Sequence, residues 1–146
     1  MSAMDVVKAG FAAAESMDWK KFESYVAEDF VFSGATPEPV GKKEFVGLQM
    51  ALEEAMPDWK FNASGYKEMG DKVMVDMQIT GTQTKELTLP MPGFPKIPAT
   101  NKKVSLPNQP GTFTVKNDKL VSLDIKDVPG GGLMGILGQL GVNMPS

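Results

Sequence analysis

The hydrophobic pattern of this 146-residue chain changes period at Pro57, and that change restricts the folds open to it. Before Pro57 apolar residues recur every three or four positions, as on one face of an α-helix. After it they alternate, as on one face of a β-strand. In "MDVVKAGFAAAESMD", Val6, Val7, Phe11 and Ala14 fall near one helical face, with Ser2 or Asp5 placed to begin the helix and an end near Met17. Asp18 can cap "WKKFESYVAEDF", where Trp19, Phe22, Tyr25 and Val26 recur at helical steps. After the extended piece "FVFSG" and a loop carrying Pro37, Pro39 and Gly41, "KKEFVGLQMALEEAM" repeats the pattern through Phe45, Leu48, Leu52 and Met56, and Pro57 closes this third helix.

Beyond Asp58 the chain reads as strands. "DWKFNASGYKEMG" and "DKVMVDMQITGTQT" meet across Gly70-Asp71, a tight-turn pair that predicts an antiparallel hairpin. Val73, Val75, Met77 and Ile79 share one face of the second strand, and Asp76, Gln78 and Thr80 the other. The prolines at 90, 92, 95 and 98 forbid a regular element in "LPMPGFPKIPATNKK", which predicts a long stiff connection. "KKVSLPNQPGTFTVK" and "KLVSLDIKD" then flank Asn117-Asp118, a second two-residue turn, with an edge or bulge expected at Pro107 and Pro110. The expected class is α+β: three N-terminal helices from residues 2–56 packed on a strongly curved antiparallel sheet from residues 58–128. The whole chain, 1–146, is expected to form a single domain, and its length suffices for a real core.

Missing residue types remove whole chemistries. All fifteen basic residues are lysine, and the chain has no arginine, histidine or cysteine. That excludes Ser-His-Asp and Cys-His arrangements, histidine or thiolate metal sites and bidentate guanidinium clamps. Acid–base work is left to Asp, Glu, Lys and Tyr. A net charge of -3 with scattered lysines argues against a nucleic-acid surface. No spacing of Asp, Asn and Glu resembles a calcium loop, so no metal is expected. Asp5 and Lys8 interrupt what would be the apolar stretch of a secretory signal, and a cytoplasmic location is the expectation.

"MPDWKF" after the third helix, "ITGTQTKE" on a long strand, "PATNKKV" closing the proline-rich loop, and "DKLVSLDIKD" leading to "LMGILGQLGV" occur in an order that resembles the SnoaL-like polyketide cyclases of the nuclear-transport-factor-2-like superfold. The resemblance covers nearly the whole chain. It implies a cone-shaped α+β barrel around an apolar cavity, no cofactor, and a small apolar, carbonyl-bearing ligand. It further implies aldol-type cyclisation with a carboxylate on the last strand as acid–base, and the matching position is Asp127. The residues expected to line the cavity are Trp19, Phe32, Trp59, Met77, Gln83, Phe113 and Leu123. The chain departs from the family where Gly-Thr-His is usual, reading Gly81-Thr82-Gln83, and has Leu123 where a tryptophan is frequent.

Strand periodicity also points to Asp127. Counting back in twos gives Ile125, Leu123 and Val121, an apolar face with one acid at its end, where desolvation would make a carboxyl a competent acid or base. Closing the strand ahead of Val128-Pro129-Gly130 is the plainer role for the same residue. Two alternatives stand beside the cyclase. One is a ligand-binding or dimerising module without chemistry, to which methionines such as Met50, Met56, Met74, Met77 and Met134 would suit. The other is a ketosteroid-isomerase-like reading on "AEDFVFSGATPEPVG", with Glu38 as base and Tyr25 the nearest hydroxyl.

The last segment, 129–146, is an apolar tail or lid. It is broken by glycine and far shorter than the ~20 residues of a membrane-spanning helix. Leu133, Ile136, Leu137 and Leu140 share a helical face that Gly141 can end, and that face must be covered. The glycines at 130–132 leave it free to fold back as a movable cover, and a permanently packed C-terminal plug or a dimer contact stands equally as its role. The resemblance implies pairing through the outer face of the sheet, and the polar, weakly charged surface around Gln78, Thr80 and Thr82 suits the homodimer expected from it.

Overall fold

The computed structural model describes residues 2–90, 93–94 and 96–142; Pro92 and Pro95 of the proline-rich loop and the end of the tail lie outside these. The chain begins with α1 (Ala3–Glu15), set by a reciprocal cap in which the Ser2 hydroxyl accepts from the Asp5 amide at 3.1 Å and the Asp5 carboxylate accepts from the Ser2 amide. Met17, at φ 58°, turns the chain, and Asp18 caps α2 (Trp19–Ser24) by accepting from the Lys21 amide.

Here the helical expectation fails. The second helix stops at Ser24, and Val26–Ser33 is strand β1. Val26, Phe30 and Phe32 are buried on the inner face of the sheet, and the Leu120 amide donates to the Tyr25 carbonyl at 2.7 Å. Pairing with a strand some ninety residues away overrides a local helical pattern, a tertiary preference that short-range spacing does not register. After β2 (Val40–Gly41) comes α3 (Lys42–Ala55).

The remaining strands are β3 (Ser64–Met69), β4 (Lys72–Met77), β5 (Thr80–Thr82), β6 (Lys103–Ser105), β7 (Gln109–Lys116) and β8 (Lys119–Ile125), before α4 (Gly132–Gln139). Six strands form one curved sheet in the order β2-β1-β8-β7-β4-β3, and β5 pairs with β6 separately. The β1–β8 pair is parallel and every other pair antiparallel, so the sheet is mixed and reaches back to residue 26 rather than starting at 58. Both predicted hairpins are present. Gly70 has φ 62°, and Asn117 and Asp118 have φ 53° and 59°, the paired left-handed conformation of a two-residue turn that follows the strand twist. Register shifts in the β1–β8, β7–β8 and β3–β4 pairs add local bending, the device by which a sheet curls around its contents.

The inner face of the curl carries Phe32, Leu123, Ile125, Phe113, Val73, Val75 and Met77, all buried, and the helices lie against it. Phe11 of α1 meets Phe61 and Phe113 at ring separations of 4.9 and 5.5 Å, while Phe45 of α3 meets Phe30 and Phe32 at 4.7 and 4.8 Å. These two aromatic groups hold the helices off the sheet at separate places.

Candidate functional site

Between helices and sheet lies an apolar chamber of about 80 Å³, where a single water needs about 10–15 Å³. Its floor is Phe32, Met77, Phe113, Leu123 and Ile125 of the sheet. Val7, Phe11 and Ala14 of α1 and Phe45, Leu48 and Leu52 of α3 roof it, and Leu133 and Ile136 of α4 close it. Among the described residues, hydrogen-bonding side chains on the wall are confined to Gln49, Gln109 and Trp59.

These three differ in what they have left to offer. The Gln109 amide nitrogen donates to the Lys126 carbonyl at 3.3 Å, and its oxygen accepts from the Gly132 amide at 2.9 Å, so this side chain stitches the end of β8 to the start of α4. The Gln49 nitrogen donates to Glu53 at 3.0 Å, one turn along α3, while among the described residues its oxygen accepts no hydrogen bond. Trp59 is 4% exposed, and its indole N–H is the one side-chain polar atom among the described residues that is both wholly enclosed and without a partner. A buried donor left unpaired costs about 1–3 kcal/mol, so a ligand acceptor there would be favoured.

Glu53 is the most buried carboxyl of the fold, at 2% exposure. Burial pushes its carboxyl up to about 7; the hydrogen bond from Gln49 opposes the rise and the charge of Glu15 adds to it. Neither Gln49 nor Glu53 was singled out by sequence reasoning. A signal existed, because positions 49 and 53 each follow by one residue the apolar positions 48 and 52 and fall on the same buried stripe of α3.

Of the residues expected to line the cavity, Phe32, Trp59, Met77, Phe113 and Leu123 do so. Trp19 and Gln83 are elsewhere. Trp19 is half-buried against Phe22 on α2, at a ring separation of 5.7 Å. Gln83 is fully buried, but its amide is consumed by the proline-rich loop: it donates to the carbonyls of Ile97 and Pro98 and accepts from the Thr100 hydroxyl at 2.7 Å. Asp58 has a comparable holding role. Its carboxylate accepts from the Thr82 amide at 2.6 Å, which keeps it below the usual carboxylate range and ties β5 to the end of α3.

Asp127 is exposed just past the end of β8 and lines an open surface depression with Pro129, Met134, Gly135 and Gln139, outside the chamber wall. Glu38 is exposed in the loop before β2, and Tyr25, half-buried, is likewise not part of the wall. Among the described residues no cluster of carboxylates could hold a metal ion. No described helix is long and apolar enough to cross a membrane.

The tail is docked. Leu133, Ile136, Leu137 and Leu140 are each 3% exposed or less, as one buried helical face. The Gln139 side chain pairs with the β6 edge through two hydrogen bonds to the Ser105 backbone, both 2.8 Å. Gly141 ends the helix at φ 82°, with the Val142 amide donating to Leu137 and the Gly141 amide to Gly138, a pair of bonds that satisfies two terminal carbonyls. The glycine run before α4 serves this close fit as well as any freedom to move. A side chain at Gly131 would meet the Gln109 amide at 2.4 Å, and Gly132 has φ 67° with the Ala35 carbonyl 2.9 Å from where a Cβ would stand.

Solved structures share this fold. IdmH of Streptomyces antibioticus, described as a candidate polyketide cyclase, superposes with a TM-score of 0.70 at 18% identity, covering 97% of this chain and 100% of that one. A candidate SnoaL-like polyketide cyclase from Jannaschia sp. CCS1 gives 0.73 at 15% identity, over 97% and 92% of the two chains. An LEH-like epoxide hydrolase of M. tuberculosis gives 0.66 at 14%, over 94% and 91%. At these identities the likeness establishes the fold and not the chemistry. No curated protein matches the sequence. The sequence model of the SnoaL-like domain, however, matches residues 7–123, most of the length that builds the chamber, and the chain therefore belongs to the SnoaL-like domain family.

Proposed function

We propose that this protein binds a small apolar, carbonyl-bearing molecule in the chamber beneath α4, which widens to admit it, since about 80 Å³ is less than the ~150 Å³ of a cavity that takes up benzene. The observation that carries the reading is Trp59, a residue of the mostly apolar wall whose buried indole N–H has no partner among the described residues. A ketone oxygen supplies the missing acceptor without adding a charge to the interior. Several solved relatives in fold are described as candidate polyketide cyclases, whose name is in keeping with carbonyl-rich ligands. Calorimetric titration of 4-methylacetophenone against 4,α-dimethylstyrene, in which a CH2 replaces the carbonyl oxygen, tests the reading. The ketone is expected to bind roughly tenfold tighter, and Trp59→Phe to erase that ratio. Equal affinity of the wild-type protein for the two would overturn it.

Aldol-type cyclisation with Asp127 as acid–base adds a further requirement. α4 turns Leu133 and Ile136 to the chamber and Met134, Gly135 and Gly138 to the depression beside Asp127. Chemistry by Asp127 on a chamber ligand calls for α4 to lift.

The reading includes a homodimer formed through the outer sheet face. Met74 and Thr112 are neighbours there, as are Thr114 and Ser122, and Val31, Met69 and Met74 are exposed. Sedimentation at micromolar concentration is expected to give twice the 15.8 kDa chain mass, and a clean single-chain mass would count against pairing.

A further inference from the structure

Gln49 and Glu53 form a buried polar pair that ligand binding to Trp59 leaves unexplained. Glu53 stands behind the chamber wall, 2% exposed, and Gln49 is part of the wall at 8%. An ionised carboxylate only accepts hydrogen bonds, so it compels the Gln49 amide to turn its nitrogen toward Glu53. The amide oxygen is thereby turned away from Glu53, on a residue of the chamber wall, and has no partner among the described residues. An oxygen in that position accepts and never donates.

We propose that Gln49 is a specificity-determining residue that selects ligands carrying a hydroxyl group, and that Glu53 is the positioning residue that sets the direction of its amide. This deepens the carbonyl-ligand reading and rests on the same chamber. The ligand class becomes a hydroxylated aromatic or enolic ketone: its carbonyl accepts from the Trp59 indole and its hydroxyl donates to the Gln49 oxygen. A phenol or enol O–H suits the role because it is neutral and short, and an apolar frame fills the rest of the wall. A ligand with a methyl group in place of the hydroxyl sets an apolar group against the amide oxygen and leaves it unpaired, which such a site rejects.

The probe pair is 3-hydroxyacetophenone and 3-methylacetophenone, which share a carbonyl and a ring and differ by a hydroxyl against a methyl of similar size; the meta position keeps the hydroxyl out of conjugation with the carbonyl and so neutral. With the wild-type protein at about pH 8, where Glu53 is mostly ionised and the phenol still carries its proton, the hydroxy ketone is expected to bind roughly tenfold tighter. Gln49→Met, close in volume, should bring the ratio to one or below. Glu53→Gln should narrow the ratio, because two amides can satisfy one another in either orientation. A merely structural Glu53 would weaken both probes alike and leave the ratio in place, and that outcome overturns its positioning role. Equal binding of the two probes to the wild-type protein overturns the proposal while the chamber reading survives. Binding of neither overturns both.

Discussion

Ending the chain at Val128 is expected to abolish cooperative unfolding, with near-ultraviolet circular dichroism lost and far-ultraviolet signal partly kept. Four side chains of α4 and its C-terminal cap, Leu133, Ile136, Leu137 and Leu140, are almost wholly buried. Each contributes about 1.5–3 kcal/mol by leaving water, or about 6–12 kcal/mol together as an upper estimate. A domain of this size holds only about 5–15 kcal/mol in total. Truncation also removes the Gln139–Ser105 pair and the Gly132 amide that Gln109 accepts from, and it opens the chamber to water. Gln139→Ala probes the same docking gently: two hydrogen bonds are lost, the fold is kept, and stability should fall by about 1–2 kcal/mol. A truncated protein that melts cooperatively at the full-length midpoint would show instead that α4 is a removable cover.

The second large effect is a loss of stability toward alkaline pH that traces to Glu53. Its carboxyl titrates near 7 in the folded protein, against 4.5 as the ordinary value for the unfolded chain. Between those values the folded state binds more protons than the unfolded one. The favourable state is the protonated one, complete below about pH 4.5; stability then falls as pH rises through the window and levels off above about pH 7. The full difference is on the order of 3 kcal/mol. Glu15 is the charged neighbour that adds to the penalty. Urea unfolding at about pH 5 and about pH 8.5 should therefore show the wild-type protein losing roughly 2–3 kcal/mol more than Glu53→Gln across that interval. Parallel pH profiles for the two proteins would mean that Glu53 reaches water in the folded state.

Local chemistry made much of this protein legible in its sequence. Ser2 and Asp18 begin helices because a short side-chain oxygen can accept from a free amide three residues on, which needs no tertiary information. Asn117-Asp118 turns a hairpin because those residues tolerate left-handed backbone. Alternation places Phe32, Met77, Phe113 and Leu123 on the inner face because successive strand residues point to opposite sides, and Trp59 joins them on the chamber wall. Spacing likewise identifies the buried face of α4, since a stripe of four large apolar side chains has to be covered wherever it docks.

Other features depend on partners far apart in sequence. Val26 begins a strand rather than continuing a helix because β8 lies beside it, in a parallel pairing that no neighbouring residue encodes. Gln83 and Gln49 are both glutamines buried in an apolar interior, yet only one has polar capacity left over. The proline-rich loop occupies every polar atom of the Gln83 amide, whereas Glu53 occupies only the nitrogen of Gln49. Residue type and spacing thus determined which side chains would go inside, through the cost of leaving apolar surface in water. Which of the buried polar groups keep an unpaired atom for a ligand was decided by the tertiary structure alone, because a hydrogen bond depends on distance and direction between groups that only folding brings together.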